Sequence, residues 1–110
     1  MIRLSDPIPP AEHAAYERAA HALREAAYRL LPHASLLLFG SRARGDHHRL
    51  SDIDLMIIPK EGHCRTDESA FAAWIEESSQ VLHRVDLVRW EDAGTDLRER
   101  VMTEGVVWKN

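Results

Sequence analysis

Two aspartates inside the apolar run "SDIDLMIIP", residues 51–59, restrict the fold more than any other feature of the sequence. The run is short, rich in branched side chains and stopped by Pro59, which predicts a strand. Side chains alternate along a strand, so Asp52 and Asp54 share one face, roughly 6–7 Å apart, and Ile53, Leu55 and Ile57 point to the core on the other. A carboxylate taken out of water is costly unless something pairs with it. The two aspartates therefore demand a partner.

The segments on either side suggest what that partner is. Upstream, "ASLLLF" (34–39) reads as a buried strand that runs into Gly40-Ser41 and one turn of helix, "GSRARGD". A strand ending in Gly-Ser can aim backbone N–H groups and a hydroxyl at a phosphate. Arg44 follows Ser41 by one helical turn and can reach the same phosphate tail, whereas the aim of Arg42 is open. Downstream, "RVDLVRW" (84–90) predicts a third strand with Asp86 between apolar residues. If that strand neighbours the second, three carboxylates meet. Like charges so placed repel unless protonated or bridged by cations. Hard oxygen donors suit Mg²⁺ or Mn²⁺, and two such ions can bracket a phosphoryl transfer. As purely structural residues, Asp54 and Asp86 would each need an expensive burial.

The remaining segments supply a scaffold. Tyr16, Ala19, Ala20, Leu23, Ala26, Ala27 and Leu30 recur at helical steps, with Pro9 and Pro10 at the start and Pro32 at the end. Such an alanine-rich face packs closely on something flat. Thr66 with Asp67 and Glu68 marks the start of another helix, whose inner stripe runs Phe71, Trp74, Ile75, Ser78, Val81, Leu82. Thr95 caps a last helix, "DLRERVMTE", ended by Gly105 before a terminal strand, "VVWK". Arg98 and Arg100 read as its solvated face. The expected fold is α/β (α+β), a small mixed β-sheet of about four strands with helices packed on it, mostly on one face.

Composition narrows the class. A chain of 110 residues with 45% hydrophobic and 29% charged residues suits one soluble domain, 1–110, with an N-terminal helix in 1–32 and the core in 33–110. No apolar run approaches membrane-span length, and "MIRLSDPIPP" lacks the order of a signal peptide, so a cytoplasmic protein is expected. One cysteine, Cys64, gives no disulfide framework. A net charge of −4 argues against general nucleic-acid binding. His47-His48 and His63-Cys64 match no standard zinc spacing.

"GS" at 40–41, ten residues, "DID" at 52–54 and the later "VDLV" at 85–88 resemble the nucleotidyltransferase fold of the DNA polymerase beta superfamily. With the ending "RERVMTEGVVWK", the chain is most similar to the MNT group, the minimal nucleotidyltransferases, over roughly Leu30 to Lys109. A lone D-x-D would be weak, but spacing, strand context and third carboxylate agree here. The resemblance implies that Ser41 and Arg44, with Gly40 in the turn, bind the triphosphate of ATP. It implies that Asp52 and Asp54 ligate two Mg²⁺ ions, and that Asp86 is the third ligand and helps activate the incoming hydroxyl. MNT proteins commonly pair with a small helical HEPN protein in a toxin–antitoxin system, as the antitoxin that transfers AMP to a tyrosine of the toxin. The resemblance implies that role here. A small molecule or RNA end as acceptor, and a non-catalytic module that neutralises its partner by contact, are the alternative readings.

Overall fold

The computed structural model describes residues 10–110; Pro9 and the stretch before it lie outside the described residues. Helix α1 (Pro10–Leu30) leads into strand β1 (Ala34–Phe39), the one-turn helix α2 (Ser41–Arg44) and strand β2 (Ile53–Pro59). Helix α3 (Arg65–Glu77), strand β3 (Val85–Arg89), a 3-10 turn at Trp90–Asp92, helix α4 (Thr95–Glu104) and strand β4 (Val106–Lys109) complete the order. The four strands form one sheet in the order β3-β2-β1-β4. β1 pairs antiparallel with β2 and β4, and β3 pairs parallel with β2, so the sheet is mixed. A parallel neighbour needs a crossover of a dozen or more residues. Helix α3 and its flanking loops supply it.

One sheet face carries the larger core. Leu36, Leu38, Ile53, Leu55 and Trp108 pack there against Ala19, Leu23, Ala26 and Ala27 of α1 and Phe71 of α3. The small side chains of α1 let its backbone lie close to the sheet, which is why alanine repeats along the buried stripe. Lys109 is also buried, its ammonium donating to the Ala34 carbonyl at 2.8 Å, which ties the end of β4 to the start of β1.

The other face is covered as well, which differs from the one-sided arrangement expected. Leu37, Met56, Ala93 and Val101 form a second cluster under α4 and the 3-10 turn, with Phe39, Val88, Trp90 and Leu97 around it. The reason lies in the strands: Leu37 and Met56 oppose each other and alternate away from the first core, leaving apolar surface that needs a cover. Arg98, expected in solvent, instead donates from Nε to the Trp90 carbonyl at 3.0 Å and lies over the Trp90 ring, fastening α4 to the turn.

Two helix boundaries also differ. The stripe of α3 stops early: Ser78 closes the helix in an extended conformation, and Leu82 is 78% exposed. Val81 is still buried, but from a loop. α4 is preceded by Gly94, with Thr95 already inside the helix and no side-chain cap bond.

Candidate active site

β2 carries Asp54 on the α4 side of the sheet, since Ile53 and Leu55 are fully buried on the other. The parallel register sets Asp54 directly beside Asp86 of β3, with Ile53 beside Val85 and Leu55 beside Leu87. Asp52 precedes the first β2 residue and faces the same way by alternation. Its carboxylate lies 3.9 Å from the Arg84 guanidinium, while the Arg84 carbonyl accepts from the Ile53 N–H at 2.9 Å.

Burial sorts the three aspartates. Asp52 and Asp54 are half-buried, and Asp86 is exposed. The costly burial expected of Asp86 is therefore absent, because β3 is an edge strand. The Asp54 carboxyl is pushed above the usual carboxylate range, first by burial and then by the Asp86 and Asp52 carboxylates, with Arg44 opposing. The Asp86 and Asp52 carboxylates thus add negative potential at Asp54.

The phosphate turn stands against this carboxylate. Gly40 has φ 76° and ψ −157°, a backbone conformation almost confined to glycine. A Cβ at Gly40 would collide with the Asp54 carboxylate. The glycine thus serves two ends: it turns the chain from β1 into α2, and it lets Asp54 lie against the turn. The Gly40 carbonyl accepts from the N–H groups of Ala43 and Arg44, each at 3.1 Å, so Ser41 begins the helix at the mouth of a cleft. That cleft, about 340 Å³, is lined by Ser41, Arg44 and Asp54 on one side and by Leu97, Arg100 and Glu104 of α4 on the other.

Sequence reasoning leaves Leu97, Val101 and Glu104 of α4 unmarked and reads Arg100 only as part of a solvated face. Leu97, Arg100, Val101 and Glu104 follow helical spacing, which marks them as one face, but nothing local shows that this face meets the Gly-Ser turn. Arg44 is held between two carboxylates, with Nε 3.2 Å from Asp46 and Nη1 3.4 Å from Glu104. Arg42 does not line the cleft; it is buried on the far side of the turn.

The donor set suits a divalent cation. Asp52, Asp54 and Asp86 offer only hard oxygen atoms, and a cation among them would offset both the burial and the neighbouring carboxylates that raise the Asp54 carboxyl. Among the described residues no three His, Cys, Asp or Glu side chains are grouped closely enough to hold a metal ion as they stand. The carboxylates stand side by side on neighbouring strands.

A family model described as polymerase beta, nucleotidyltransferase, matches residues 32–109. The chain belongs to this nucleotidyltransferase family. No curated protein matches the chain. Solved structures agree on the fold. A toxin–antitoxin complex with AMP-PNP contains a chain 27% identical to the nucleotidyltransferase, at a TM-score of 0.63, with 81% of this chain and 71% of that one covered. A protein described as a minimal nucleotidyltransferase is 28% identical, at a TM-score of 0.64, with 86% and 93% covered. A chain of the toxin–antitoxin MntA–HpeT shares the fold at 24% identity and a TM-score of 0.62, with 81% and 71% covered. The chain thus shares its fold with a protein described as a minimal nucleotidyltransferase, and no described helix is long and apolar enough to cross a membrane.

Proposed function

We propose that this nucleotidyltransferase transfers AMP from ATP to a hydroxyl group in a metal-dependent reaction, as the antitoxin partner of a small helical HEPN-family toxin whose tyrosine is the acceptor. The observation that carries the chemistry is the register pairing of Asp54 with Asp86, facing a Gly-Ser turn against which Asp54 is packed. The role in a toxin–antitoxin pair is supported by the likeness to a chain of such a complex, which also holds AMP-PNP.

In this reading Ser41 and the start of α2 hold the triphosphate, and Arg44 turns from Glu104 and Asp46 to neutralise it. Asp52 and Asp54 hold divalent cations, with Asp86 completing the set. Two Mg²⁺ or Mn²⁺ ions bound there would neutralise phosphate charge and lower the pKa of the acceptor hydroxyl. Asp86, exposed on the edge strand, is the carboxylate best placed to meet an acceptor arriving from outside and to take its proton. The acceptor oxygen bonds to the α-phosphorus, the bond to the bridging oxygen breaks, and pyrophosphate leaves with the electron pair.

The test uses ATP labelled at either the α- or the γ-phosphate, with Mg²⁺ and a lysate of the source organism. Label passing to protease-sensitive material from α-labelled ATP only, and found on tyrosine, is the expected result. Transfer from γ-labelled ATP would replace nucleotidyl transfer by phosphorylation. Label in RNase-sensitive material would move the acceptor to RNA.

A further inference from the structure

Arg42 follows the serine of the phosphate turn, yet its side chain runs away from the cleft. It is 8% exposed, its guanidinium lies over the Tyr16 ring of α1 at 4.4 Å from the centroid, and its Nε donates to the Ser51 carbonyl at 3.1 Å. A buried cation persists only where partners offset its lost hydration. Here one of those partners is the carbonyl of the residue immediately before Asp52.

The segment between α2 and β2 is irregular and folds back on itself. The His48 N–H donates to Ser51 Oγ at 2.9 Å, and the Ser51 N–H donates to the His48 carbonyl at 3.0 Å. These bonds shape the loop locally without fixing it to the rest of the fold. Arg42 reaches across nine residues and joins Ser51, the residue before Asp52, to the helix that begins with Ser41. The ring of Tyr16 fixes the height of that guanidinium above α1. Arg42 thereby links the phosphate turn to the residue before Asp52, beside the Arg84 guanidinium that meets the Asp52 carboxylate at 3.9 Å.

We propose that Arg42, seated on Tyr16, is a positioning residue that sets the Asp52 carboxylate against the Ser41 turn for divalent-cation binding. The inference rests on the reading of Asp52 as a cation ligand, and its test separates the two. Arg42→Met keeps the apolar stem and removes the donor; Arg42→Lys keeps a cation and one donor; Tyr16→Phe keeps the ring face and Tyr16→Leu removes it.

The readouts are Mn²⁺ affinity, from the electron paramagnetic resonance of free Mn²⁺ with α,β-methylene-ATP present, and affinity for that analogue at saturating Mn²⁺. Arg42→Met is expected to weaken Mn²⁺ binding about tenfold, as loss of a residue behind a metal ligand does. Analogue affinity at saturating Mn²⁺ stays close to wild type, because Ser41 and Arg44 are untouched. Arg42→Lys restores most of the Mn²⁺ affinity, Tyr16→Phe matches wild type, and Tyr16→Leu weakens Mn²⁺ binding in the same sense as Arg42→Met. In an Asp52→Asn background, Arg42→Met causes no further loss, since the ligand it positions is gone.

Wild-type Mn²⁺ affinity in folded Arg42→Met, or an undiminished Arg42→Met effect in the Asp52→Asn background, overturns the proposal. Loss of analogue affinity with Mn²⁺ affinity intact overturns it too and makes Arg42 a nucleotide contact. If Arg42→Met does not fold, wild-type Mn²⁺ affinity in folded Tyr16→Leu overturns it. Wild-type Mn²⁺ affinity in Asp52→Asn alone sinks the reading of Asp52, and this proposal with it.

Discussion

Asp54 lies against Gly40, with Asp86 beside it and Arg44 near enough to oppose the rise in its pKa. The folded chain therefore holds the Asp54 proton more tightly than the unfolded chain does. A raised carboxyl contributes stability that is fully present below the ordinary carboxylate range and is lost as pH rises through its raised pKa. At neutral pH the ionised group thus destabilises the metal-free protein. Asp54→Asn should raise the melting temperature in EDTA at pH 7, with the difference vanishing toward pH 3, while nucleotidyl transfer is lost. Calorimetry across that range checks the sign. Gly40→Ala tests the other half of the contact. It combines a glycine-only conformation, worth about 1–3 kcal/mol of strain, with a collision against Asp54. A urea titration should show a loss of that size, and transfer should fall even where the variant is folded.

Strands, turn and carboxylates were legible as elements because each announces itself locally. Ile53, Leu55 and Ile57 alternate with Asp54, and the Gly-Ser pair follows an apolar run. Element contacts were less legible, because they join residues distant in sequence. α4 over the second sheet face, Arg98 on Trp90 and Glu104 against Arg44 across 60 residues leave no local mark. The same holds where β3 is fastened to α3 by Arg89 Nε and Glu68 at 2.7 Å, with His63 Nε2 on the other Glu68 oxygen at 2.7 Å. The end of α3 was misread because Val81 and Leu82 continue its spacing; Ser78 and Ser79 interrupt the helix first, and serine favours turns over helix interiors. This yields a paired prediction. Phe71→Ala, in the middle of α3 with its ring fully buried, should cost about 3–5 kcal/mol. Leu82→Ala should fall within about 0.5 kcal/mol of wild type, as exposed substitutions do. Equal losses in denaturant titrations would restore Leu82 to the core.

On the scale of the whole molecule, the sheet separates scaffold from chemistry. One face is closed by α1 and α3, and the other opens at its carboxylate end into the cleft beneath α4. Ligands that enter this cleft should stabilise the fold by mass action, by about 2.7 kcal/mol at a hundredfold excess over Kd. Mn²⁺ with α,β-methylene-ATP should therefore raise the melting temperature of wild type, and Asp54→Asn should abolish the rise. Asp86→Asn should blunt it less, because Asp86 stands exposed at the edge.

The central claim is that Asp52, Asp54 and Asp86 hold divalent cations against a triphosphate seated on the Ser41 turn. A crystal structure with Mn²⁺ and α,β-methylene-ATP, phased to show anomalous scattering, tests it most directly. Manganese peaks ligated by Asp52 and Asp54, with Asp86 at their edge and the phosphates at Ser41 and Arg44, are the predicted result. Nucleotide bound elsewhere, or phosphates at Ser41 with no manganese at these aspartates, would contradict it.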